Sequence, residues 1–176
     1  MQAQDNKAID SLQFDEGNMV GGQYLTFMLA GEEYGIEILK VQEIKGWDKA
    51  TPIPNTPDHL LGVLNLRGAV VPIIDLRRRF AFERAEYGPT TVVIVVKMAA
   101  SDHERTIGLV VDAVADVYRL DDKEVQPPPE LGSSVHADFV RGMATVEDKM
   151  VILLEVDTLV DFSTVDGVGS EAANNN

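Results

Sequence analysis

A pattern that occurs twice limits what this 176-residue chain can fold into. Residues 60–76 read LLGVLNLRGAVVPIIDL, and residues 140–156 read VRGMATVEDKMVILLEV. Without a gap, Gly62 aligns with Gly142, Val71 with Val151 and Asp75 with Glu155. Each copy is an apolar strand, a tight polar turn and a second apolar strand that ends in a carboxylate. The segments Tyr34–Ile36 and Thr106–Leu109 add a second match, since each reopens a strand after a charged turn. Two copies about 75–80 residues apart point to two similar small β units in one chain, because a solenoid needs three or more repeats. Chance likeness between two β-hairpins is the alternative.

The rest of the pattern is mostly strand. Tyr24, Phe27 and Leu29 open the first strand, and Gly31, Glu32 and Glu33 supply its turn. Period-two alternation continues through Tyr34–Ile38 and Val41–Ile44. Pro52, Pro54 and Pro57 remove backbone donors and force irregular chain, as Pro127, Pro128 and Pro129 do later. Residues 60–66 and 70–76 predict a hairpin around Arg67 and Gly68, where glycine takes positive φ readily. The apolar run of residues 90–98 predicts a strand buried on both faces. Strands follow over 105–111, 113–120, 139–146 and 150–155, and Asp157 is placed to cap a short final helix carrying Leu159, Val160 and Phe162. Short strands at this spacing predict an all-β chain of barrels or a sandwich. Residues 1–22 read as a flexible arm and 164–176 as a frayed tail.

Composition narrows the function. The net charge of −14 repels phosphate backbones and anionic lipids. Arg77, Arg78 and Arg79 are the one basic cluster, read as a solvated strand end. No cysteine is present, which removes disulfides and thiolate chemistry and fits a reducing cytoplasm. No stretch approaches the roughly 20 apolar residues of a membrane helix. His59, His103 and His136 are far apart, and Ser133–Ser134 lies in no nucleophile elbow. Gly167-Val168-Gly169 follows no strand, so it is not a dinucleotide site. Asp121-Asp122 and Glu147-Asp148 lack calcium-loop spacing and read as turn formers. No enzyme, no cofactor and no metal are expected; recognition is.

Three segments carry a specific resemblance: EEYGIEILKVQEI (32–44), GVLNLRGAVVPIIDLR (62–77) and GLVVDAVADV (108–117). They resemble the signature segments of CheW, the bacterial chemotaxis adaptor family, over about residues 22–162. The same module ends the CheA histidine kinase and is fused to a receiver in CheV; with neither neighbour here, the stand-alone adaptor is the expectation. The resemblance implies two intertwined five-stranded SH3-like β-barrels with a shared core. The first barrel is expected over about 30–89 and the second over about 90–156, within a domain of 23–163 and with terminal segments crossing over. It implies a cytoplasmic protein recruited to membrane-associated receptor arrays. There it would bridge the regulatory domain of a CheA-type kinase to the cytoplasmic tips of methyl-accepting chemoreceptors, with other CheW copies nearby. The alternative is the same adaptor in a pilus or second-messenger pathway.

The positions carried over for receptor binding are Val41, Glu43, Gly62, Arg67, Val114 and Val117. Arg67 is expected to pair with Glu43 and fix a groove wall. Val41, Val114 and Val117 are either docking residues or core, and Gly62 either touches the receptor or permits close strand packing. For the kinase the positions are Ile36 and Ile38 in the first barrel, and Gln126, Glu130 and Leu131 in the second. Leu131 stands where the family commonly has an aromatic residue. A glutamate at position 38 is expected to abolish kinase binding by a folded protein.

Overall fold

Period-two alternation gives strands wherever the sequence carries it. The computed structural model describes residues 22–99, 103–128 and 137–160. Its strands are β1 (Gly22–Leu29), β2 (Glu32–Glu37), β3 (Val41–Gly46), β4 (Leu60–Leu66) and β5 (Ala69–Asp75), then β6 (Val92–Ala99), β7 (Glu104–Val111), β8 (Ala113–Leu120), β9 (Val140–Val146) and β10 (Lys149–Leu154). They form two five-stranded sheets, ordered β8-β1-β2-β10-β9 and β3-β6-β7-β5-β4.

That order reveals the duplication. Strands β1 to β5 repeat as β6 to β10, and every strand of one sheet has its counterpart at the same place in the other. Each repeat gives its first two strands to one sheet and its last three to the other. The parallel contacts match residue for residue: Ile73 faces Gly108 where β5 meets β7, and Leu153 faces Gly35 where β10 meets β2. A division at residue 90 therefore does not separate the sheets. One sheet takes residues 41–111, and the other takes 22–37 together with 113–154.

Burial follows from this exchange. In β6, Val93 and Val95 turn into a cluster within their own sheet, with Leu64, Val71, Ile73 and Val110. Ile94, Val96 and Met98 turn the other way, into a cluster shared with Phe27, Leu29, Ile36, Ile38 and Leu154 of the other sheet. This strand is buried on both faces, as its unbroken apolar run predicts. A third cluster, Tyr24, Leu120, Ala144, Val151 and Leu153, fills the first sheet.

Tight turns join the strands. Ala30–Gly31, Arg67–Gly68 and Glu147–Asp148 all have both central residues at positive φ, the two-residue turn that suits strand twist. The first of these turns lies at Ala30–Gly31, because Glu32 and Glu33 already belong to β2. Gly62 and Gly142 let other segments lie across the hairpins. Thr51 pairs with Val63, and Gln126 pairs with Met143, each just before a proline. A Cβ on Gly62 would overlap the Thr51 carbonyl oxygen, and φ there is +144°.

Two local expectations are corrected. Asp157 caps no helix; the chain makes a single 3-10 turn over Val156–Thr158, and the Asp157 carboxylate instead accepts from the Ala99 N–H at 2.9 Å. Residue Phe162, the arm and the tail lie outside the described residues. The three arginines are no solvated strand end either. They lie in a one-turn helix, α1 (Leu76–Arg79), capped by Asp75, whose side chain accepts from the Arg77 and Arg78 N–H groups. Arg77 binds Asp112, Arg78 reaches Asp58, and Arg79 donates to the Leu159 carbonyl while lying over the Phe139 ring.

Asp75, which is buried, also accepts from the Tyr87 hydroxyl at 2.6 Å, and Tyr87 stacks on Trp47 with ring centroids 4.1 Å apart. Burial, then the Asp75 hydrogen bond and charge, hold the Tyr87 phenol well above its ordinary value. Burial, then Glu32, push Tyr34 up to about 12. Both phenols are raised in the folded chain, so their contribution is complete below the ordinary value of 10.0 and is lost as pH rises beyond it. Alkaline unfolding followed by tyrosinate absorbance is expected to steepen above that value, and Tyr87→Phe should make the fall shallower.

Candidate docking surfaces

Arg67 stands at the tip of the β4–β5 hairpin, and Glu43 lies in β3, at the opposite edge of the same sheet. Their charged atoms are 3.3 Å apart. The ion pair therefore draws the two edges of that sheet toward each other. The Asn65 side chain accepts from the Gly68 N–H at 2.9 Å and holds the turn that aims Arg67 outward. The arginine side chain is 86% exposed, so the pair contributes little to stability and leaves most of the guanidinium on the surface.

The other receptor-set residues divide between surface and core. Val114, in β8, is exposed. Val41 and Val117 are half-buried against the shared cluster, where each offers one flank to solvent. They lie in β3 and β8, the matching third strands of the two repeats, in different sheets. Gly62 is buried beneath the Thr51 segment, which accounts for the residue through backbone approach.

The kinase set lies deeper. Ile36 is fully buried and Ile38 is 5% exposed; both belong to the shared cluster and present no surface. Gln126 is exposed, with its backbone paired to Met143 of β9, while Glu130 and Leu131 lie outside the described residues. Strand β10 separates Ile36 and Ile38 from β9, so Gln126 does not join them in one patch. Sequence reasoning missed Leu39, which is 73% exposed. The 3-10 turn Ile38–Lys40 ends the alternation, so Leu39 points outward while Ile38 completes the buried face. Val70 and Met150 were missed as well. Both are exposed, and the 80-residue offset aligns them just past the hairpin turns. That coincidence was readable from the repeat.

Among the described residues, reactive groups are not gathered in a comparable way. The His59 imidazole is pushed below its ordinary range by burial and then by Arg79, against a smaller opposite pull from Asp58. His103 lies in an exposed bend, and His136 and Ser133–Ser134 are outside the described residues. Among the described residues no group of three or more His, Cys, Asp or Glu could hold a metal ion, and no helix is long and apolar enough to cross a membrane.

Two interlocked sheets that carry isolated apolar side chains and an outward arginine are the architecture of a protein-binding scaffold. Comparison with known proteins agrees. Residues 23–163 match the family model of the CheW-like domain. The chain is 43% identical over 155 residues to the chemotaxis protein CheW of Klebsiella aerogenes, covering 86% of this chain and 91% of that protein. It is 38% identical to the chemotaxis protein CheW of Rhizobium meliloti, covering 79% and 87%. The crystal structure of the scaffolding protein TtCheW from Thermoanaerobacter tengcongensis superposes with a TM-score of 0.72 at 34% identity, covering 79% of this chain and 92% of that one. The chain belongs to the CheW-like family and is a non-catalytic scaffold or adaptor protein.

Proposed function

We propose that this protein is a chemotaxis adaptor that couples chemoreceptor tips to the regulatory domain of a CheA-type histidine kinase, in arrays at the cytoplasmic face of the membrane. The observation that carries the reading is the match to the chemotaxis protein CheW along 91% of that relative's length, spanning both sheets. The receptor surface is formed by Arg67, Glu43 and Val114, with the open flanks of Val41 and Val117. A helical hairpin presents apolar ridges to such valines and polar groups to the arginine. The kinase surface is centred on Leu39 in place of Ile36 and Ile38. Gln126, Glu130 and Leu131 are the proposed contacts from the second repeat.

Calorimetric titration tests this. The protein is expected to bind a CheA regulatory domain and, separately, a soluble receptor-tip hairpin at micromolar or tighter affinity. Arg67→Ala should weaken only the receptor titration and leave the unfolding midpoint almost unchanged, because an ion pair this exposed adds little to stability. A folded wild-type protein that binds neither partner would overturn the reading.

A further inference from the structure

The repeat matches the two edge strands that border the receptor surface. Strand β3 lies beside β6, and β8 lies beside β1, in different sheets. Val41 faces Val96 and Val114 faces Phe27, and each pairing shifts register just beyond that valine. Val41, Glu43 and Ile44 therefore stand where Val114, Asp116 and Val117 stand, at one constant offset. Val41, Ile44 and Val117 are half-buried against the cluster shared by the sheets, and Val114 is exposed. A partner laid across both strands meets two matching apolar halves. A half-turn about the axis that relates the repeats would set it on like side chains again.

The hairpin tips beside these strands agree in position and oppose each other in charge. Arg67 and Glu147 hold the same place in their turns, at φ +55° and +51°. Arg67 lies 3.3 Å from Glu43, the carboxylate of β3. In the other sheet the tip residue Glu147 and the β8 carboxylate Asp116 have the same sign. Both reach Tyr118 of β8, whose phenol is held above its ordinary value by burial first and then by Glu33, Asp116 and Glu147. The Thr26 hydroxyl ties this end together, donating to the buried Glu33 at 2.7 Å and accepting from the Asp116 N–H at 3.0 Å. We propose that this opposition of charge sets the direction in which the receptor-tip hairpin lies on the protein, with an acidic stretch against Arg67 and a basic side chain against Asp116 and Glu147. The inference rests on the adaptor reading and names the chemistry that the partner carries at each end. The valines hold the hairpin equally in either direction. The reversed pose puts like charges together at both ends, so the charges discriminate where the apolar contacts do not.

The full chain has no cysteine, so V70C and M150C each take a single nitroxide. These matching positions are exposed and lie outside the receptor set. A soluble receptor-tip hairpin carries the second nitroxide on one helix, away from its midpoint, and pulsed dipolar spectroscopy reads its distance to each position. In the native protein one distance should be short and the other long, with the reversed pose below about a tenth of the population. R67E/E147R moves the ion pair from one half to the other, and the short and long distances should trade places. E147R alone keeps the Arg67–Glu43 pair and gives both halves an arginine, so each position should then report both distances. Circular dichroism melts establish that the variants are folded. A native pattern in either variant would overturn the proposal, as would two equally populated poses in the native protein. Loss of hairpin binding by a folded R67E/E147R protein would overturn it too, because that variant only exchanges the halves. A native protein that does not bind the hairpin at all overturns the adaptor reading, and the inference falls with it.

Discussion

Gly62→Ala is expected to destabilise the protein by about 3 kcal/mol or more, a large part of the margin of a domain this size. Two costs combine. At φ +144° an L side chain is strained, and the added Cβ would overlap the Thr51 carbonyl oxygen and lie 2.5 Å from its carbon. That carbonyl is not free to withdraw, because Thr51 and Val63 exchange two backbone hydrogen bonds of 2.9 Å. Gly142→Ala supplies a graded comparison. Its φ is unstrained, and the nearest atoms are the Val125 Cγ1 at 2.5 Å and the Gln126 oxygen at 2.8 Å, so the loss should be smaller. Gly68→Ala has strain at φ +86° and open space around it, which limits the loss to about 1 kcal/mol. Denaturant midpoints of the three variants check the order. Equal losses at Gly62 and Gly68 would mean that the Thr51 segment moves aside freely.

The second large effect separates two adjacent residues. Ile38→Glu is expected to abolish the cooperative fold, because it places a carboxylate in the apolar cluster shared between the sheets. Leu39→Glu should leave stability within about 0.5 kcal/mol of the parent, since the side chain is already 73% exposed. Leu39→Glu should nevertheless lose most of its affinity for the kinase regulatory domain. Circular dichroism melts and titration, run on both variants, distinguish the roles. A folded Ile38→Glu protein would refute the burial of that position. A folded Leu39→Glu protein that binds normally would remove Leu39 from the docking surface.

Much of the fold was legible because strands write themselves in period two. The limits of β4 and β8 were readable to the residue, and the Arg67–Glu43 pair was anticipated among the positions that the family resemblance carried over. Exchange was not legible from the residues, because strand order is a property of distant pairings; only the family resemblance implied it, and its division near residue 90 falls between the two repeats and not between the two sheets. Ile38 and Leu39 show why exposure was not legible. Alternation says which residues share a face, but which face is covered depends on whether a second sheet lies there. The arginines of α1 misled for a related reason. Their partners Asp112, Phe139 and Leu159 are remote in sequence, so nothing local distinguishes three anchored guanidiniums from three solvated ones.

The exchanged order also bears on how the chain emerges from the ribosome. Strands β1 and β2 are made first, yet β1 waits for β8 and β2 waits for β10, whose last residue is Leu154. An early hairpin of two strands is marginal by itself and keeps Leu25, Phe27 and Ile36 uncovered until their neighbours arrive. Synthesis must therefore pass Leu154 before the first sheet can close. Folding is delayed accordingly, at a rate set by contacts between strands far apart in sequence.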